Sequence, residues 1–133
     1  MTRTTSLILL DSLVVIWAME NSPRIGKRAR EMITSGVEVH VSTVSLMELT
    51  IKAMIGKISI PEKLASQLVD QGLSLLNLTA EHVEGLRDFP ELSRHDPFDR
   101  ALVAQASQAG LRFLTADRAL LALGRDFVVD ATA

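Results

Sequence analysis

Residues 95–117 run His95-Asp-Pro-Phe-Asp-Arg-Ala-Leu-Val-Ala-Gln-Ala-Ser-Gln-Ala-Gly110-Leu-Arg-Phe-Leu-Thr-Ala-Asp117, a helix with both ends marked and then a strand. Pro97 sits where the helix begins, because its ring fixes φ near the helical value and the N–H it lacks would find no partner in the first turn. Gly110 closes the helix, since glycine takes the left-handed conformation of a helix C-terminus at little steric cost. Leu111 to Leu114 follows as a short apolar strand, and Asp117 to Ala122 as a short helix beyond it. A helix feeding straight into a strand is half of the repeating unit of a parallel sheet, whose strands need crossover connections.

The same alternation extends outward. Ser6 to Leu10 is apolar without polar alternation, as in a strand buried on both faces. From Pro23, Ile25, Ala29, Met32 and Ile33 have helical spacing, with Arg24, Lys27, Arg28 and Arg30 on the other sides and Gly36 as the stop. Val37, Val39 and Val41 alternate with polar residues as a strand, and Ser45 to Glu48 opens a helix through Ile55 that Gly56 ends. Pro61 to Asp70 reads as a helix starting on a proline, Leu73 to Leu78 as a third strand, Thr79 onward as a helix ending near Pro90, and Phe127 to Val129 as the last strand. The fold class is therefore α/β, a three-layer arrangement with a central, mostly parallel sheet flanked by helices. No repeat or linker divides residues 1–133, which are expected to form a single domain.

Composition narrows the function. The 133 residues include no Cys, which removes disulfide frameworks, thiolate zinc sites and Cys nucleophiles together. The apolar run from Leu7 to Met19 is interrupted by Asp11 and is too short for a membrane helix, so no membrane partner and a cytoplasmic location are expected. With 14 Lys+Arg against 16 Asp+Glu the net charge is −2, which does not suit a general nucleic-acid coat; any such contact must be local or helped by a cation. A hydrophobic content of 47%, with rows such as Leu13 to Trp17 and Ala119 to Leu123, predicts a homodimer carrying an exposed apolar surface.

The carboxylates carry the chemistry. Asp11, Glu48, Asp99 and Asp117 each fall just after a strand or near the start of a helix. Any one of them has an ordinary explanation, because acids at helix N-termini accept bonds from orphan N–H groups. Asp11 and Asp117 are candidate caps, Ser45 with Glu48 matches a capping box, and Asp96 stands before Pro97 as a cap. The group needs more than capping, because the C-terminal ends of parallel strands lie along one edge, where open α/β folds place ligands. Carboxylates gathered there repel one another unless a proton, a basic partner or a hard cation intervenes. Oxygen donors without Cys or a His pair point to magnesium or manganese. Asp96 and Asp99 are three apart and share a helix face; Asp99 is the better ligand, with Asp96 a cap or an extra ligand. His40, His82 and His95 are scattered, and His95, beside the acids, reads as a surface residue or a support behind the ligands. Ser12, Ser45 and Thr115 adjoin the acids and read first as helix caps.

Leu9-Leu-Asp-Ser12 with Trp17, Ser45-Leu-Met-Glu48 with Ile51-Lys52 and Gly56-Lys57, Asp96-Pro-Phe-Asp-Arg100 with Leu102-Val-Ala-Gln-Ala106, and Leu114-Thr-Ala-Asp-Arg118 form four ordered blocks. Together they resemble the PIN-domain family, specifically its VapC-like toxins, over most of the chain. Leu13 stands where many relatives carry His, and Met47 where many carry Trp. The resemblance implies a magnesium-dependent endoribonuclease built on Asp11, Glu48, Asp99 and Asp117, an RNA substrate, a homodimer, and a cognate antitoxin whose C-terminal segment lies across the cleft. On that reading Asp11 and Asp99 ligate directly, while Glu48 and Asp117 bind a second ion or orient water. Lys52, Lys57, Arg94, Arg100 and Arg118 are the nearby cations for phosphates. Tyr is absent and Trp17 lies in an apolar row, so a stacking platform for bases is not evident and Trp17 reads as core or dimer contact. Two other classes compete. A receiver-like signalling module also gathers acids at strand ends but carries a doubled acid after its first strand, and a non-catalytic adaptor would be expected to have lost an acid.

Overall fold

The computed structural model describes residues 7–35 and 38–133. Five strands, β1 (Ile8–Leu10), β2 (Val39–Ser42), β3 (Ser74–Leu76), β4 (Arg112–Thr115) and β5 (Val128–Asp130), form one sheet in the order β3-β2-β1-β4-β5. Every pairing is parallel, with Leu9 opposite His40 on one side and Phe113 on the other. The helices are α1 (Ser12–Met19), α2 (Lys27–Thr34), α3 (Thr43–Met54), α4 (Leu64–Asp70), α5 (Ala80–Glu84), α6 (Pro97–Ala109) and α7 (Arg118–Leu121). A receiver-type sheet runs 2-1-3-4-5, so the strand order itself separates this chain from that class.

Central β1 is fully buried at all three positions, which is why its sequence lacks alternation. Ile8 and Leu10 face one core with Val14, Val15, Trp17, Ala29 and Leu68, while Leu9 faces the other with Phe113, Leu102, Val103 and Leu120. Helix α3 spans both layers, with Leu49 in the first core and Val44 in the second. That crossing carries Glu48 to the strand ends.

Several boundaries differ from the sequence reading. Ser45 and Glu48 do not form a capping box: β2 ends at Ser42, whose hydroxyl accepts from Val44 N at 2.9 Å, so α3 starts before Ser45 and the pair lies within it. Helix α4 begins at Leu64 rather than Pro61, because Lys63 (φ −108°, ψ 56°) is outside helical geometry. The helix expected from Thr79 to Pro90 is α5 followed by 3-10 turns at Gly85–Asp88 and Pro90–Leu92. Ser6, Gly36 and Val37 lie outside the described residues. Of the apolar rows expected at the surface, Val14, Val15, Trp17 and Leu120 are buried; Trp17 is core, with the Arg24 guanidinium 6.0 Å from its ring centre. Leu13, at the start of the first row, is exposed as expected, and further exposed apolar side chains include Met47, Ile51, Met54 and Ile55, on α3 and just past its end. No described helix is long and apolar enough to cross a membrane.

Candidate metal centre

In an open α/β sheet the ligand crevice lies at the strand C-termini where the order reverses, here between β1 and β4. Asp11 directly follows β1, and Asp117 lies two residues past the end of β4. A cleft of about 350 Å³ opens there, lined by Asp11, Ser12, Glu48, Lys52, Asp96, Asp99 and Asp117, with Leu13, Ile16, Leu49 and Ile58 as an apolar wall.

Capping and cleft-lining coincide, because a carboxylate has two oxygens. Asp11 Oδ1 accepts from Ser12 N at 2.7 Å to start α1, and its Oδ2 accepts from the Thr115 hydroxyl at 2.6 Å. Asp117 Oδ1 accepts from Ala119 N and Leu120 N to start α7, while Oδ2 lies 3.5 Å from His95 Nε2. Asp96 Oδ1 accepts from Phe98 N and Asp99 N, which makes it the cap of α6. It is therefore not a helical neighbour of Asp99, though it lines the same cleft.

Glu48 is 6% exposed and fully engaged. Its Oε2 accepts from Lys52 Nζ at 2.7 Å, one helical turn on, and Ser12 Oγ lies 2.7 Å from its Oε1. Ser12 Oγ is also 2.9 Å from Ser45 Oγ; a hydroxyl has one proton, so Ser12 donates to the carboxylate and accepts from Ser45. Ser12, Ser45 and Thr115 cap no helix: all are buried, and they tie Asp11 and Glu48 in place.

The electrostatics show how close the acids are. Burial, followed by the charges of Asp11, Asp96, Asp117 and Glu48, pushes the Asp99 carboxyl up to about 7. Burial also raises Asp11 against the opposing pull of its bonds from Thr115 and Ser12, with Glu48 and Asp117 adding repulsion. The bond to Glu48 raises the Lys52 ammonium. Buried, mutually repelling oxygen donors without thiolates are the donor set of a hard divalent cation, and these residues fit magnesium or manganese.

His95, set aside in the sequence, is half-buried with Nε2 3.2 Å from Asp99 Oδ2. Its adjacency to Asp96 was the available signal, but nothing local shows that it reaches Asp117. Among the candidate phosphate-binding cations, Lys52 lines the cleft, Arg118 pairs with Asp130 at 3.2 Å, and Lys57, Arg94 and Arg100 are not lining residues.

The PIN domain profile matches residues 8–126. Ribonuclease VapC22 of Mycobacterium tuberculosis is 31% identical over 123 residues, spanning 85% of this chain and 88% of its own length. Similar solved structures include a toxin–antitoxin complex from Klebsiella pneumoniae (TM-score 0.63, 15% identity, 93% of this chain and 97% of that one). A DNA-bound VapBC from Salmonella typhimurium has a TM-score of 0.59 at 23% identity, covering 83% of this chain and 86% of that one. At these identities the structures speak to the fold alone.

Proposed function

The chain belongs to the PIN domain family, and from that premise we propose that it is a metal-dependent endoribonuclease acting as the toxin of a toxin–antitoxin pair in the cytoplasm. The observation that carries the reading is the meeting of Asp11, Glu48, Asp99 and Asp117 in one cleft at the sheet's reversal point, with Asp99 raised to about 7. The ribonuclease name of the Mycobacterium relative supports RNA as substrate, and the toxin–antitoxin neighbours support an antitoxin partner.

When bound, magnesium or manganese supplies Lewis acidity toward a phosphate oxygen and a water acidic enough to attack near neutral pH. Asp11, Glu48, Asp99 and Asp117 hold the ion or ions, with Asp96 an outer candidate. Thr115 holds Asp11, and the Ser45–Ser12 relay holds Glu48, so both carboxylates are positioned at the cleft before an ion arrives. Lys52 holds positive charge beside Glu48, within reach of a phosphate in the cleft. The exposed rim of Leu13, Met47, Ile51, Met54 and Ile55 is the surface for the antitoxin, and the active protein is a homodimer.

The test is cleavage of RNA by the purified chain with magnesium, manganese or EDTA. Asp11→Asn and Asp99→Asn should each lower cleavage by at least about a hundredfold, since each keeps its size and loses the charge that holds the ion. Undiminished cleavage by either variant in EDTA would sink the reading.

A further inference from the structure

Resting on the metal-site reading above, we propose that His95 is a nitrogen ligand of a divalent ion shared with Asp99 and Asp117, and that it biases the centre toward manganese over magnesium. His95 Nε2 lies 3.2 Å from Asp99 Oδ2 and 3.5 Å from Asp117 Oδ2. One donor atom from each of the three lies within 4.8 Å of the other two. An octahedral ion with bonds of about 2.1 Å sets adjacent donors about 3.0 Å apart and opposite donors about 4.2 Å apart. The two separations from His95 fall between those values, and an ion would take the place of the hydrogen bond that now joins Nε2 to Asp99 Oδ2.

Three separate backbone devices hold it there. His95 N donates to Leu92 O at 2.9 Å, which closes the turn ahead of α6; Asp99 lies in the first turn of α6; and Asp117 caps α7 with its other oxygen. The two ends of the cleft differ in what an incoming cation must displace. Glu48 already has Lys52 on one oxygen and Ser12 on the other, whereas Arg118, next to Asp117 in sequence, turns away to Asp130. An ion entering the His95 end displaces no ammonium. Side-chain exposures of 23%, 17% and 31% for His95, Asp99 and Asp117 leave room for its remaining water ligands.

The choice of metal follows from the donor. Ligation needs the neutral imidazole with its proton on Nδ1 and the Nε2 lone pair facing the ion. Magnesium is selective for oxygen and gives up water reluctantly, while manganese accepts imidazole more readily. An all-carboxylate cleft would not make that distinction.

The experiment is manganese titration of the purified full chain, read by electron paramagnetic resonance, with pulsed detection of nitrogen-14 coupling and magnesium competition. Wild type should show the coupling of a directly bound imidazole nitrogen, and His95→Ala and His95→Asn should lose it. In both variants the manganese dissociation constant should rise about tenfold or more while that for magnesium changes little. Thermal melts in EDTA identify a variant that has failed to fold, and the wild-type spectrum tests the ligand without any variant. Manganese binding with no nitrogen coupling in wild type overturns the His95 ligand and leaves the carboxylate site standing. Absence of binding by either metal overturns both.

Discussion

At the scale of the residue, Asp99 makes the stability of the metal-free protein depend on pH. In the unfolded chain its carboxyl ionises near 3.8, and in the folded protein burial and the neighbouring acids hold it to about 7. Between those values the folded protein keeps a proton that the unfolded chain has lost, so stability falls as pH rises from about 4 to about 7 and levels off above. Asp11, raised by burial, acts in the same direction. After discounting for the partial exposure of Asp99, its share is about 1–2 kcal/mol. Melts in EDTA at pH 5 and pH 8 should therefore show wild type losing a few degrees on going to pH 8, and Asp99→Asn losing less and melting higher than wild type there. Asp11→Asn should gain less than Asp99→Asn, because Asp11 Oδ2 is the acceptor for the buried Thr115 hydroxyl and an amide nitrogen in its place is not. Adding manganese at pH 8 should reverse the order, with wild type rising most. If Asp99→Asn is the less stable protein in EDTA at pH 8, neither burial nor the neighbouring charges destabilise the ionised carboxylate.

At the scale of the element, the ends of helices carry both shape and chemistry. Helix α2 has no side-chain cap; Arg28 N and Ala29 N donate to Ala133 O, and Gly26 N donates to Ala131 O. A Cβ on Gly26 would sit 2.1 Å from Ala133 O, so the segment after β5 docks only against a glycine. Gly26 has φ −69°, which any residue adopts, so the requirement there is space. Gly110, in contrast, has φ 70°, and a Cβ added to it would meet nothing within 4 Å, so the requirement is backbone conformation. Urea unfolding should show Gly26→Ala losing about 2–3 kcal/mol as these bonds are displaced, and Gly110→Ala about 1 kcal/mol. Equal losses would mean that the segment after β5 shifts aside freely. Helix α3 divides its roles between two faces along its length: Val44, Ser45, Glu48 and Leu49 face inward, and Met47, Ile51 and Met54 face outward.

At the scale of the whole molecule, the exposed apolar side chains include the outward face of α3 and Leu13, which lines the cleft and is 47% exposed. Met54 at 80% and Met47 at 53% exposure contribute little to the fold, so Met47→Glu with Met54→Glu should leave the melting temperature within about 2–3 degrees of wild type. The same double variant should bind the cognate antitoxin at least about tenfold more weakly, by calorimetry, because charge is placed in the apolar contact. Unchanged affinity would move the partner surface elsewhere. The alternation of apolar strands and helices was legible in order along the chain, as were the cap at Asp96, the stop at Gly110 and the exits of β1 and β4 into acids, because each is a short-range consequence of backbone hydrogen bonding and side-chain burial. Legible too was that Asp11, Glu48, Asp99 and Asp117 would share an edge, since parallel strands end on one side. What the chain alone left open was which hydroxyl caps and which one positions an acid. Ser42, not Ser45, starts α3, and Ser45 donates to Ser12 instead. The links that set the cleft join residues 33, 36 and 104 apart in sequence, from Ser12 to Ser45, Ser12 to Glu48 and Thr115 to Asp11. His95 meets Asp117 only because α6 and α7 start beside each other above the sheet's reversal point. Local pattern encodes backbone conformation and which side of an element is buried; pairing across such separations is decided by the packing of the layers, and only the tertiary structure contains it.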